Sequence, residues 1–172
     1  YKQTELGWIP KEWEVLPLGE LAEKIQDGTH FSPDVGGGEY LDLTSKNNRF
    51  GYITVKNSET MTKNQHDAIF KRCNDRKGDL LLTKDGANTG NAAINNITEP
   101  FSMLSRVAFI RSNELSNEEY LLHYILSDVA QSRIKDAMSG NAITRLTLEK
   151  INNFNVPVPT IKEQLLVAER SG

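Results

Sequence analysis

A single cysteine, Cys73, occurs in 172 residues, so the chain has no intrachain disulfide and suits a reducing compartment. Its setting, "KRCNDRK", predicts an incidental exposed thiol, because a catalytic one needs a neighbouring histidine. Long apolar runs are missing too. Nothing approaches the roughly 18 residues of a membrane span, and no basic stretch followed by an apolar one opens the chain. A cytoplasmic protein without membrane contact is expected. Histidine is sparse, and His30, His66 and His123 lack the i, i+4 pairing with glutamate that marks a helical zinc site, so no metal and no cofactor are expected.

Catalytic signatures are missing in turn. The stretch "KGDLLLTKDGANTGNAAI", residues 77–94, looks at first like a phosphate cradle. However, Gly86 and Gly90 are four apart and Asn91 follows, whereas a Walker loop needs G-x-x-x-x-G-K-[ST]. No G-x-G-x-x-G and no G-x-S-x-G elbow occurs. A DNA-methylating enzyme would carry an adenosylmethionine loop and an Asn/Asp-Pro-Pro-aromatic motif, and "NVPVP" has neither the aromatic nor adjacent prolines. Pro33-Asp34 with Asp75-Arg76-Lys77 formally matches a magnesium nuclease. That reading is set aside, because Asp75 falls in a polar turn instead of on a strand beside its lysine. The chain reads as non-catalytic.

What is present is an ordinary globular composition, 38% hydrophobic and 25% charged, in a length that suits one domain. The net charge of -3 is unevenly spread. Residues 1–43 hold 3 basic and 9 acidic side chains, residues 44–111 hold 11 and 6, and residues 112–172 hold 6 and 8. The local field of a face governs binding to phosphates, so a basic middle segment on an acidic frame remains compatible with nucleic acid.

Periodicity predicts an α+β fold with a β-rich middle. The opening "ELGWIPKEWEVLPLGELAEKI" predicts a strand around Trp13 and Val15, then a brief helix over 19–24, with Trp8 and Trp13 as packing residues. "QDGTHFSPDVGGGEY" is a long loop. "EYLDLT" and "GYITV" read as strands around the polar turn "SKNNRF", and "MTKNQHDAIF" as a helical turn. "GDLLLT", "NAAINNI" and "SRVAFIRS" read as three more strands, the first two joined as a hairpin whose Asp-Gly and Asn-Thr-Gly supply positive φ. A long helix is expected over 116–138, capped by Ser116 with Glu119 and carrying Leu121, Leu122, Ile125, Leu126, Val129 and Ile134 on its apolar stripe. "TLEKINNF" is a short helix and "NVPVP" an extended segment. "PTIKEQLLVAER" starts a final helix with Thr160 and Glu163 as its capping box. Its abrupt end suggests a truncated chain.

Together these pieces resemble the target-recognition domain of specificity subunits from type I restriction-modification systems. The resemblance rests on "ELGWIPKEWEVLPLGEL", "DGTHFSP", "KGDLLLTKDGANTGNAAI", "LSRVAFIRS", "NEEYLLHYILSD" and "SGNAITRLTLEKINNFNVPVPTIKEQ", in that order and spacing. It implies a recognition domain over 1–159 and the start of a truncated connecting helix over 160–172. It further implies that such a chain reads one half of a split target on double-stranded DNA. The implied partners are methylation subunits, restriction subunits through them, and a second half-subunit or dimer through the connecting helix.

In that family Gly-rich tips line the DNA face, which makes Lys84, Asp85, Asn88, Thr89 and Asn91 the leading candidates. Asn amides pair with adenine, Arg and Lys with guanine, and Thr or Ser with either. Matched positions and residue types add Thr29 and His30, Lys46, Asn47, Asn48 and Arg49, Ser105 and Arg106, and Asn141, Thr144 and Arg145. Lys46, Arg49, Arg106 and Arg145 would divide between phosphate and base contacts. Two rival readings stay open. One is an assembly module that touches DNA little, and the other a metal-dependent nuclease using Asp34, Asp75 and Lys77.

Overall fold

The computed structural model describes residues 1–28, 38–56, 58–98, 101–103, 106–138 and 145–171. A short hairpin comes first, β1 (Lys2–Thr4) against β2 (Gly7–Ile9), and then β3 (Glu14–Pro17), as the position of Trp13 and Val15 predicts. The expected helix over 19–24 is absent. Only a 3-10 turn, Leu18–Glu20, forms there, and the chain runs straight on into β4 (Ala22–Asp27), since sheet pairing of Ile25 and its neighbours outweighs a weak local helical preference. Trp8 is 68% exposed and not a packing residue, whereas the Trp13 indole donates to Glu163 at 3.2 Å.

The middle of the chain is β-rich, as expected. β5 (Tyr40–Leu43) and β6 (Glu59–Met61) pair antiparallel, while "GYITV" contributes only an isolated bridge between Asn48 and Ile53. Next come α1 (Lys63–Arg72), capped by Thr62 and Gln65, then β7 (Leu80–Thr83), β8 (Ala92–Ile94), β9 (Phe101–Met103) and β10 (Val107–Ser112). Strand β9, unforeseen from the sequence, pairs in parallel with β5. The central sheet is antiparallel with order β4-β10-β7-β8. Its strands β7 and β10 are near-continuous apolar runs because both faces are covered.

One face, with Leu80, Leu82, Ala108 and Ile110, packs on helices, and the other, with Leu81, Val107 and Phe109, packs on Leu43, Phe101 and Met103. Cys73 is fully buried in that second cluster, contrary to the exposed thiol its charged neighbours suggest. It acts there as a small apolar side chain.

The long helix expected over 116–138 is two helices, α2 (Glu118–Leu126) and α3 (Asp128–Met138). Ser127 breaks it with an extended ψ of 154. Its hydroxyl donates to the Tyr124 carbonyl at 2.5 Å and accepts from the Ala130 N–H at 3.3 Å, capping the second helix. The first helix is capped by Asn117, whose side-chain oxygen accepts from Glu119 and Tyr120. Ser116 instead donates to the Leu21 carbonyl at 2.7 Å. The Tyr120 hydroxyl donates to the Pro157 carbonyl at 2.6 Å, which ties α2 to the last strand.

The chain closes with α4 (Leu148–Asn152), β11 (Asn155–Val158) and α5 (Ile161–Ser171). β11 pairs with β3 in a two-stranded sheet, where Pro17 and Pro157 are tolerated because few ladder bonds are required of them. Thr160 Oγ1 accepts from the Glu163 N–H at 3.3 Å, as its placement predicts. No described helix is long and apolar enough to cross a membrane.

Candidate nucleic-acid interface

The β7–β8 hairpin is present as the turn residues require, with Gly86 at φ 89 and Gly90 at φ 100. Its tip is held by its own bonds. Gly90 N–H donates to the Thr83 carbonyl and Thr83 N–H to Asn91, both at 2.9 Å, and the Thr89 hydroxyl donates to Gly86 at 2.7 Å. From outside, the Gln131 amide on α3 donates to the Gly90 carbonyl at 3.0 Å and to Ile125 at 2.8 Å. A Cβ on Gly90 would stand 2.8 Å from Gln131 Oε1, so another residue here would both strain the φ of 100 and push the Gln131 amide aside. Helix and hairpin tip therefore form one ordered unit.

Three further segments converge on it. Lys84 N–H donates to the Arg106 carbonyl at 2.9 Å, Leu146 N–H donates to the Lys84 carbonyl at 2.6 Å, and the backbones of Asp85 and Arg145 pair in an isolated antiparallel β-bridge. The turn after β5 is tied in by Asn48, whose amide donates to the carbonyls of Leu81 and Asn91 and to the Thr83 hydroxyl at 3.1 to 3.2 Å. Gly28, just past β4, donates to the Val107 carbonyl at 3.0 Å. Lys46, Arg49, Arg106 and Arg145 are exposed around this junction, with Asp85, Asn88, Thr89 and Asn91 half-buried.

Three expected readers are not at the surface. Lys84 is 1% exposed, with Nζ 3.4 Å from Asp27 Oδ2. It neutralises a carboxylate beneath the tip and does not project from it. Asn48 is 2% exposed and all its described bonds run to the fold. Asn47 is buried, its side chain accepting from Thr44 and donating to the Thr54 carbonyl, so it shapes its own turn. These amides are spent on closing loops, a role that residue type alone does not separate from base reading. Thr29, His30, Ser105, Asn141 and Thr144 lie outside the described residues.

Several residues important to the junction carried no usable signal. Asp27 and Gln131 act through contacts 57 and 41 residues away in sequence. Phe50 and Tyr52, 50% and 62% exposed beside Arg49, could have been noticed as aromatic residues in a polar turn.

The pair Asp75 and Lys77 lies at the opposite end of the hairpin, near its root. There Gly78 N–H donates to the Asn95 carbonyl and Asn95 N–H to Asp79. Asp75 is buried, not in an exposed polar turn, and Asp34 is outside the described residues.

The model of the type I restriction modification DNA specificity domain matches residues 10–170. The chain belongs to this family. Among relatives of the specificity domain, the type I restriction enzyme MjaVIII specificity subunit of Methanocaldococcus jannaschii is 26% identical over 99% of this chain and 41% of its own length. The MjaIX specificity subunit of the same organism is 25% identical over 98% and 39%. The specificity domain thus spans about two fifths of the length of the curated relatives it matches. Its fold is similar to that of the HsdS subunit from Thermoanaerobacter tengcongensis, with a TM-score of 0.68 at 16% identity, covering 97% of this chain and 38% of that one. The α+β architecture expected from periodicity is therefore shared with these subunits.

Proposed function

We propose that this chain reads one half of a bipartite sequence on double-stranded DNA through the loop junction around the β7–β8 tip. The observation that carries the reading is the meeting of Lys46, Arg49, Arg106 and Arg145, exposed on three separate segments, around a tip fixed by Gln131 and Asn48. Exposed cations on a rigid platform suit phosphate neutralisation, and Asn88, Thr89 and Asn91 between them suit base edges. Thr29, His30, Ser105, Asn141 and Thr144 are included in the proposed reading set by residue type and by their matched positions in the family alone. Buried Lys84, Asn47 and Asn48 support it from below.

Residues 1–159 are the recognition domain in this reading, and 160–172 begin a connecting helix. The chain directs methylation subunits, and restriction subunits through them, to the target in the cytoplasm while catalysis resides in those partners. Arg106→Ala and Arg145→Ala, assembled with the methylation subunit, are the test. A phosphate contact predicts binding weakened across all sequences, with a salt slope lower by about 0.9. A base contact predicts about 1–3 kcal/mol of lost discrimination at one position, read from methylated adenines in a DNA library. Unchanged affinity, slope and methylation pattern in both variants would rule the surface out.

A further inference from the structure

At the root of the β7–β8 hairpin, away from the tip, lies an open cleft of about 620 Å³ between α1 and the segment after β8. Its apolar walls are Tyr40, Phe70, Phe101 and Ile97. Tyr40, His66 and Phe70 form a continuous stack, with ring centroids 4.3 and 5.4 Å apart. His66 is fixed by a 2.7 Å bond to the Ser102 hydroxyl, and burial shifts it toward its neutral form. Asp75 also lines the cleft, yet it is 5% exposed and its Oδ1 has no hydrogen-bond partner among the described residues.

A carboxylate left in this state is costly unless something supplies a donor. Among the described residues, the cation that acts on Asp75 is committed elsewhere. Arg111 forks onto Asp79, with Nε and Nη2 each 2.9 Å from a carboxylate oxygen, and Nη2 also reaches the Asn74 carbonyl. Lys77 and Asp67 face the cleft as exposed, opposite rim charges. An arriving group must therefore offer N–H donors and positive charge to Asp75 while tolerating ring faces around it. A guanidinium does both, forking onto carboxylates and stacking on aromatic planes, and an ammonium does so less completely.

We propose that this cleft is a binding site for a small organic cation of the guanidinium or amine class, anchored on Asp75 between the rings of Tyr40, Phe70 and Phe101. It stands apart from the DNA-reading tip and does not depend on it.

Agmatine is the probe, titrated into the full chain and followed by calorimetry and by the aromatic resonances of Tyr40 and Phe70. Saturable binding is expected at pH 8. Burial, with Asp79 adding like-charge repulsion, pushes the Asp75 carboxyl up to about 7, against its own backbone hydrogen bond and Arg111, which favour ionisation. Affinity should therefore fall about tenfold between pH 8 and pH 6 as the carboxylate is lost. Asp75→Asn should weaken binding about tenfold or more, and Phe70→Ala by several-fold. Adenosine monophosphate, planar but anionic, should not compete. If Asp75→Asn does not fold, the pH series and Phe70→Ala carry the test. Agmatine binding that is absent at millimolar concentration, independent of pH, or outcompeted by adenosine monophosphate would overturn the proposal.

Discussion

Removing the Lys84 ammonium separates a structural role from a DNA-contacting one. In Lys84→Met the stem keeps its volume, but Asp27 loses the cation 3.4 Å away. Breaking a buried ion pair from one side costs about 3–5 kcal/mol, because the remaining charge is left uncompensated. Asp27 retains 13% exposure and the separation is long for a charged hydrogen bond, so the lower end, about 3 kcal/mol, applies. For a chain of this length that corresponds to a melting temperature roughly 6–12 °C lower. The double variant Lys84→Met with Asp27→Asn should recover most of the loss, since it removes the orphaned charge as well. DNA affinity, measured in the complex with the methylation subunit across several salt concentrations, should fall through disturbance of the tip while its salt slope stays unchanged. A variant that melts like the parent and loses about 0.9 from the slope would refute this, because Lys84 would then be meeting a phosphate directly.

Arg111→Met should destabilise the fold by about 3–5 kcal/mol in urea titration, since Asp79 is only 2% exposed and loses both prongs of its partner. Gly90→Ala combines a φ of 100 with a 2.8 Å approach to Gln131 Oε1. It should cost about 1–3 kcal/mol and weaken DNA binding by detaching the tip from α3. Asp75 makes stability depend on pH in an unusual direction. Its folded-state pKa near 7 lies above the ordinary value of 3.8, so the native chain holds more protons and stability falls as pH rises from about 4 to 7. Thermal melts should show that slope flattened in Asp75→Asn, with the variant more stable than the parent at pH 8. A parent whose stability rises smoothly from pH 4 to 7, matching the variant, would contradict it.

Local chemistry was sufficient for the hairpin. Gly86 and Gly90 announce positive φ, the runs at Leu80 and Val107 announce buried strands, and Thr160 announces a helix start, all through interactions within a few residues. Where local preferences were balanced, partners distant in sequence settled the outcome. Ser127 could continue a helix or cap the next, Cys73 could lie outside or inside, and residues 22–24 could coil or pair with β10.

The same division holds for the candidate interface. Residue type and order named the loops, and the amides and cations in them are the inventory proposed to meet a duplex. Which of them face outward depends on contacts that no short stretch encodes. Lys84 is drawn inside by Asp27 and Asn48 by the carbonyls of Leu81 and Asn91, while Arg106 and Arg145 find no such buried acceptor among the described residues and remain at the surface. A charge or amide can be read from the chain directly. Its direction follows from whether the fold places a complementary group where water would otherwise be.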